Sequence, residues 1–160
     1  MIRLFLILLF TSTLALASDV QPIYIWAKQA GEKILNFSYY DNPEYWQQLK
    51  PLFSESGWLN FNKSLNKDTI NLINEYQLAS RVDIDLSSAK LKDMRNNSWH
   101  ISMPATISYY GLRQATNYPI LILMTIDWNN KQINSFTSQV TNKPSYAKLY
   151  PRGCNLRKFP

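Results

Sequence analysis

Hydrophobic positions in the first half of the chain recur every three or four residues. Ile23, Trp26, Ala27, Ala30, Ile34 and Phe37 fall on one stripe, the spacing of an amphipathic helix of about four turns. Pro22 suits its first turn, where a missing N–H costs nothing. Asp41-Asn42-Pro43 ends this element, and a short helix is expected over 44–50, closed by Pro51. The next stretch, FSESGWLNF, reads as a helix start with Ser54 as N-cap. Glu55 then stands at the first helical position, where its charge favours the positive end of the helix dipole. Phe53, just before the cap, is placed to pack on Trp58 as a hydrophobic staple. Gly57 lowers helix stability by about 1 kcal/mol relative to alanine, so its presence predicts close approach by a neighbouring helix or sheet. Asp68 is a candidate cap for a further helix whose apolar positions are Ile70, Leu72, Ile73 and Tyr76.

Near Ala79 the period changes from about 3.6 to 2. Val82, Ile84 and Leu86 alternate with Arg81, Asp83 and Asp85, and Trp99, Ile101 and Met103 alternate with His100 and Ser102 in a run that continues to Tyr110. The intervening turn is expected at 93–97. The stretch from Tyr118 to Trp128 is apolar on both parities until Thr125 and Asp127, which predicts a central strand whose first half is covered on both faces. Asn129-Asn130 reads as a tight turn into a strand over 132–140. Helices first and then about four antiparallel strands is an α+β pattern, with N-terminal helices packed on one curved antiparallel sheet.

Composition fits one globular domain: 160 residues, 46% hydrophobic and 14% aromatic. The first seventeen residues stand apart. MIRLFLILLFTSTLALA carries one charge, an apolar run from Leu4 to Phe10 and the small-residue pattern Ala15-Leu16-Ala17, which is a cleavable secretory signal peptide. The apolar run, interrupted by Thr11, Ser12 and Thr13, is short of the roughly 20 residues of a spanning helix. The mature chain keeps one cysteine, Cys154, so no internal disulfide supports the fold.

Charge is unevenly placed. The formal net charge is +6 and falls to +5 without Arg3. Lys131, Lys143, Lys148, Arg152, Arg157 and Lys158 lie beyond Trp128 with no acid among them, leaving 18–127 at −1. Organisation is therefore read as signal peptide 1–17, domain 18–142 and a basic, proline-containing tail 143–160. The tail suits an anionic surface or an acidic partner. Tyr146, Tyr150 and Phe159 interleave with its basic residues, as in single-strand binders. In an exported protein, however, no nucleic-acid partner is expected.

Candidate chemistry is sparse. His100, the sole histidine, points to the face opposite Trp99 and is read as solvent-facing, since one histidine and one tail cysteine make a poor ligand set. Asp83 and Asp85 share a strand face about 7 Å apart, the spacing of an acid/base pair, but their alternation with apolar residues puts them in solvent. Asp127 ends an apolar strand, where burial would raise its pKa, and it also starts a turn sequence. The chain contains no GxSxG, HExxH, CxxC or phosphate-loop pattern, and no cofactor or metal is expected.

Trp26 in the first helix, Phe37 with Tyr39-Tyr40-Asp41-Asn42, the block FSESGW over 53–58 and Trp99-His100-Ile101-Ser102-Met103-Pro104 resemble the DotI/IcmL family. Its members are inner-membrane subunits of type IVB secretion systems and related conjugation machines. The resemblance covers about residues 22–140. It implies a periplasmic domain with a cystatin-like or nuclear-transport-factor-like cone, similar to that of the VirB-type bitopic subunit. Trp26, Gly57, Trp58, Trp99 and Pro104 are its structural motif residues. It also implies a non-catalytic role in assembly with other secretion or envelope proteins, or as a homo-oligomer. The family subunit carries a transmembrane helix before this domain, whereas here Met1-Ile2-Arg3 precede a short apolar run, so a soluble, exported relative is expected in place of an anchored one. Contact with a membrane surface would then fall to Lys143, Lys148, Arg152, Arg157 and Lys158. The competing class is a small-molecule binder or enzyme using the cone interior, with Asp127, Tyr39 or Tyr40 as its polar groups.

Overall fold

In the computed structural model, residues 20–35 form helix α1, and Ile23, Ala27, Ala30 and Ile34 bury on the stripe their spacing predicts. The structure describes residues 20–40, 43–65, 67–94, 97–111, 115–142 and 145–147. After α1 come α2 (Pro43–Gln47), a 3-10 turn (Lys50–Leu52), α3 (Glu55–Ser64) and α4 (Lys67–Glu75). Some details differ from the sequence expectation. Pro51 closes nothing: α2 stops at Gln47 and Pro51 sits inside the 3-10 turn, where first-turn N–H groups have no helical partner to lose. Asp68 lies within α4 rather than before it. Tyr76 falls beyond that helix and is exposed, because the chain reverses at Gln77 with φ 49° to enter the sheet.

The sheet contains β1 (Ala79–Ile84), β2 (Lys90–Met94), β3 (Ser98–Tyr110), β4 (Ala115–Asp127), β5 (Gln132–Val140) and β6 (Ser145–Ala147). Its main path is β1-β3-β4-β5, antiparallel throughout. This is the expected α+β architecture, extended by two short strands. β2 continues the β1 edge against β3, and β6 continues the β5 edge against β4. β6 lies within the stretch read as tail.

The β1 edge is broken on purpose. Leu86, expected to continue the strand, instead begins a 3-10 turn (Leu86–Ser88) capped by Asp85. The break coincides with Pro104 in β3. Ile84 pairs with Ala105 and Lys90 with Ser102, while the Asp85 N–H donates to the Pro104 carbonyl (2.9 Å). In an antiparallel ladder a residue's N and C=O point the same way. The nitrogen of Pro104 therefore faces the gap between β1 and β2, and a proline in a thirteen-residue inner strand forfeits no ladder bond.

β4 begins at Ala115, three residues earlier than expected, and only one of its faces is fully covered. Ile120, Ile122, Met124 and Ile126 are buried, whereas Leu121 and Leu123 are half-buried. Their shelter is lateral, from the cross-strand neighbours Ser102, Pro104, Thr137 and Gln139. The β4–β5 connection is a four-residue loop, 128–131, with Lys131 at φ 50°; it is longer than the two-residue Asn-Asn turn expected. A register shift between Thr125 and Ile126 follows, the kind of bulge that bends and twists a strand.

The helices bury the opposite face. Ile101, Met103, Ile122, Met124 and Ile126 from the sheet join Ile23, Ile34 and Leu49 in one apolar core. Phe37, just past α1, reaches Trp46 and Tyr109 at ring separations of 5.7 and 6.2 Å. Residues 36–38 also cover the free edge of β1. The Asn36 Oδ1 accepts from the Val82 N–H (2.7 Å), the Phe37 carbonyl accepts from the Ser80 N–H (2.7 Å), and the buried Ser80 hydroxyl donates to the Leu35 carbonyl. An exposed strand edge is a template for aggregation, and here side chain and loop satisfy it.

Candidate functional site

The start of α3 is built as the sequence implies. Ser54 is extended (φ −66°, ψ 165°), and its hydroxyl accepts from the Gly57 N–H at 3.2 Å. Its own N–H donates to the Ile133 carbonyl at 3.0 Å, beside a parallel bridge between Phe53 and Ile133. Phe53 packs on Trp58 (5.9 Å) and stacks on Phe61 (4.7 Å), and Phe61 meets Phe136 edge-on (6.2 Å). The start of α3 thus locks sideways onto the edge of β5. Gly57 is required by this contact: a Cβ there would collide with the Ile133 carbonyl oxygen and stand 3.1 Å from that of Asn134. Its role in the fold is to permit close approach.

The other motif residues also sit in the framework. Trp26 is half-buried and meets Trp128 edge-on at 6.3 Å. Trp99 is half-buried opposite Ile126, with its indole Nε1 enclosed and without a hydrogen-bond partner. Pro104 marks the break in the β1 edge. Lys143, Lys148, Arg152, Arg157 and Lys158 lie outside the described residues.

The polar candidates are dispersed. His100 is exposed, with its Nδ1 2.9 Å from the Thr125 hydroxyl, which accepts from Ser135 (2.9 Å). These three side chains form a hydroxyl ladder across the outer face of β3, β4 and β5. Asp83 is exposed on β1. Asp85 has left the strand to cap the 3-10 turn, and hydrogen bonds from Ser87 hold its carboxyl below the usual 3.8. Asp127 accepts from the backbone N–H groups of Asn129 (3.0 Å) and Asn130 (3.4 Å) and from the Asn130 amide (2.8 Å), so it is spent on holding the β4–β5 loop. The rings of Tyr39 and Tyr40 lie 3.9 Å apart, tilted by 34°, with Tyr40 79% exposed. The hydrogen bond with Tyr40 raises the Tyr39 pKa above 10.0. Asp127 and these tyrosines therefore belong to separate local structures and do not build a common pocket. Among the described residues there is no group of three or more metal-ligating side chains.

Two surface grooves stand out. One, of about 700 Å³, runs beside the α3 joint past Lys50, Pro51, Phe53 and Leu59. The other, of about 370 Å³, opens on the helix-bearing face of the sheet at the end remote from Asp127, between Leu78, Tyr109, Tyr118 and Val140. Among the described residues no charged side chain lines it. Tyr109 and Tyr118 meet edge-on there at 5.7 Å, and burial, reinforced by Tyr118, pushes the Tyr109 phenol above 10.0. Sequence reasoning missed this groove. Its one signal was Val140, an apolar side chain closing an otherwise polar strand end.

Three solved structures share this architecture. The periplasmic domain of DotI matches with a TM-score of 0.62 and 16% identity, over 74% of this chain and 94% of that one. An IcmL-like type IV secretion system protein from Legionella pneumophila subsp. pneumophila str. Philadelphia 1 matches at 0.63 and 18%, over 78% and 94%. A periplasmic fragment of TraM matches at 0.53 and 14%, over 73% and 94%. No protein-family model matches the chain, and no curated protein matches its sequence significantly. In fold, the chain is a DotI/IcmL-like domain. Among the described residues no helix is long and apolar enough to cross a membrane.

Proposed function

We propose that this chain is a non-catalytic protein-interaction domain of the periplasm that assembles with type IV secretion or other envelope components, or with copies of itself. The fold shared with an IcmL-like type IV secretion system protein over 78% of the chain carries this reading. The dispersal of His100, Asp83, Asp85 and Asp127 among turns and strand faces supports a surface that binds in preference to one that reacts. Residues 1–17 direct export and are removed after Ala17, residues 18–142 are the binding domain, and the basic residues of 143–160 give it a cationic contact for an anionic membrane surface. Affinity capture after mild crosslinking in the native host tests the reading. Envelope or secretion proteins are the expected catch. Recovery of the chain alone, together with normal secretion after deletion of the gene, overturns it.

A further inference from the structure

The groove between Leu78, Tyr109, Tyr118 and Val140 is open and, among the described residues, mostly apolar and lined by uncharged side chains. Val140, on its rim, remains 60% exposed. The last described residues of the chain lie at this same end of the sheet. β6 pairs Tyr146 with Thr116 and Ala147 with Ala115, and Thr116 lines the groove. Residues 148–160, KLYPRGCNLRKFP, therefore start at the groove's rim.

We propose that this segment folds back and covers the groove of its own chain with Leu156 and Phe159. Length and sequence both allow it. Tyr150-Pro151-Arg152-Gly153 places proline second and glycine fourth, the preferences of a type I turn. Three residues out and three back bring Leu156 level with Ala115. Three more, about 10 Å at extended spacing, bring Phe159 level with Tyr118. An extended leg with a threefold repeat sets residues three apart on one side. Leu156 and Phe159 then face the uncharged lining while Arg157 and Lys158 stay in water, so no cation is buried. The proposal stands independently of the secretion reading.

Disulfide trapping in the full chain tests it, with Cys154→Ser as background. Val140 faces the groove and is paired with Ile120, whereas its neighbour Gln139 points to the other side of the sheet opposite Leu121. Val140→Cys with Pro160→Cys should close within one chain at least about tenfold faster than Gln139→Cys with Pro160→Cys. A tail that merely wanders gives both pairs the same roughly millimolar effective concentration. Adding Leu156→Asp and Phe159→Asp should erase the difference. Equal rates for the two pairs, a preference that survives the aspartates, or disulfides formed only between two chains would each overturn the proposal, the last by assigning the groove to a second copy.

Discussion

Replacing Gly57 with alanine separates two physical accounts by sign. By helix propensity alone the change should stabilise α3 by about 1 kcal/mol, because alanine loses less backbone entropy. The joint with β5 predicts the reverse. The added methyl meets the Ile133 carbonyl oxygen inside contact distance and has Asn134 O and Ser54 Oγ each 3.1 Å away. Two of these atoms are backbone and cannot rotate aside. Restoring an ordinary carbon–oxygen distance of about 3.3 Å requires the helix start to move away from the strand by on the order of 1 Å. That movement strains the Ser54 N–H bond to Ile133, worth about 1 kcal/mol, and loosens the packing of Phe53, Trp58 and Phe61, where overpacking typically costs about 1–3 kcal/mol. Set against the propensity gain, the net loss is about 2 kcal/mol. Urea unfolding followed by tryptophan fluorescence reads it as a lower midpoint with unchanged slope. Thermal unfolding should fall by roughly 5–8 °C. Ser56→Ala, at the exposed neighbouring position, should stay within about 0.5 kcal/mol. A neutral or stabilised Gly57→Ala would refute the close-approach argument.

Two further changes probe other parts of the framework. Asn36→Ala strands the Val82 N–H on the β1 edge and should cost about 2 kcal/mol. Asn36→Asp keeps the acceptor and should recover most of that loss, and equal urea midpoints for the two variants would contradict the edge-capping role. Tyr109 titrates above its unfolded value of 10.0, so the unfolded chain releases this proton first as pH rises. Its contribution is complete below pH 10.0 and is lost as pH climbs through the folded pKa. Stability should therefore decline through this range, and less steeply in Tyr109→Phe; identical alkaline unfolding curves would contradict it.

What could be read in the sequence was local. The stripe on α1 and the Ser54 cap with its Phe53–Trp58 staple depend on residues three or four apart, and spacing reveals them. Gly57 could be recognised as a site of close approach, but its partner, Ile133, lies 76 positions away and no periodicity links them. β2 was hidden for a similar reason. KLKDM lacks a clean apolar alternation, and what makes it a strand is the ladder offered by β3. Leu86 continued an alternating pattern that the break opposite Pro104 overrode. The second face of β4 was over-read, since apolar residues at 121 and 123 are sheltered by strand neighbours without a second layer. The groove at Val140 could not be assembled from the sequence because Leu78, Tyr109, Tyr118 and Val140 come from separate segments that only the sheet brings together.

A role in envelope assembly requires this domain to work in the periplasm. Cell fractionation joined to N-terminal sequencing of the mature protein tests that most directly. The account predicts recovery in the periplasmic fraction with Ser18 as the first residue. Recovery in the cytoplasm, or with residues 1–17 still attached, would contradict it.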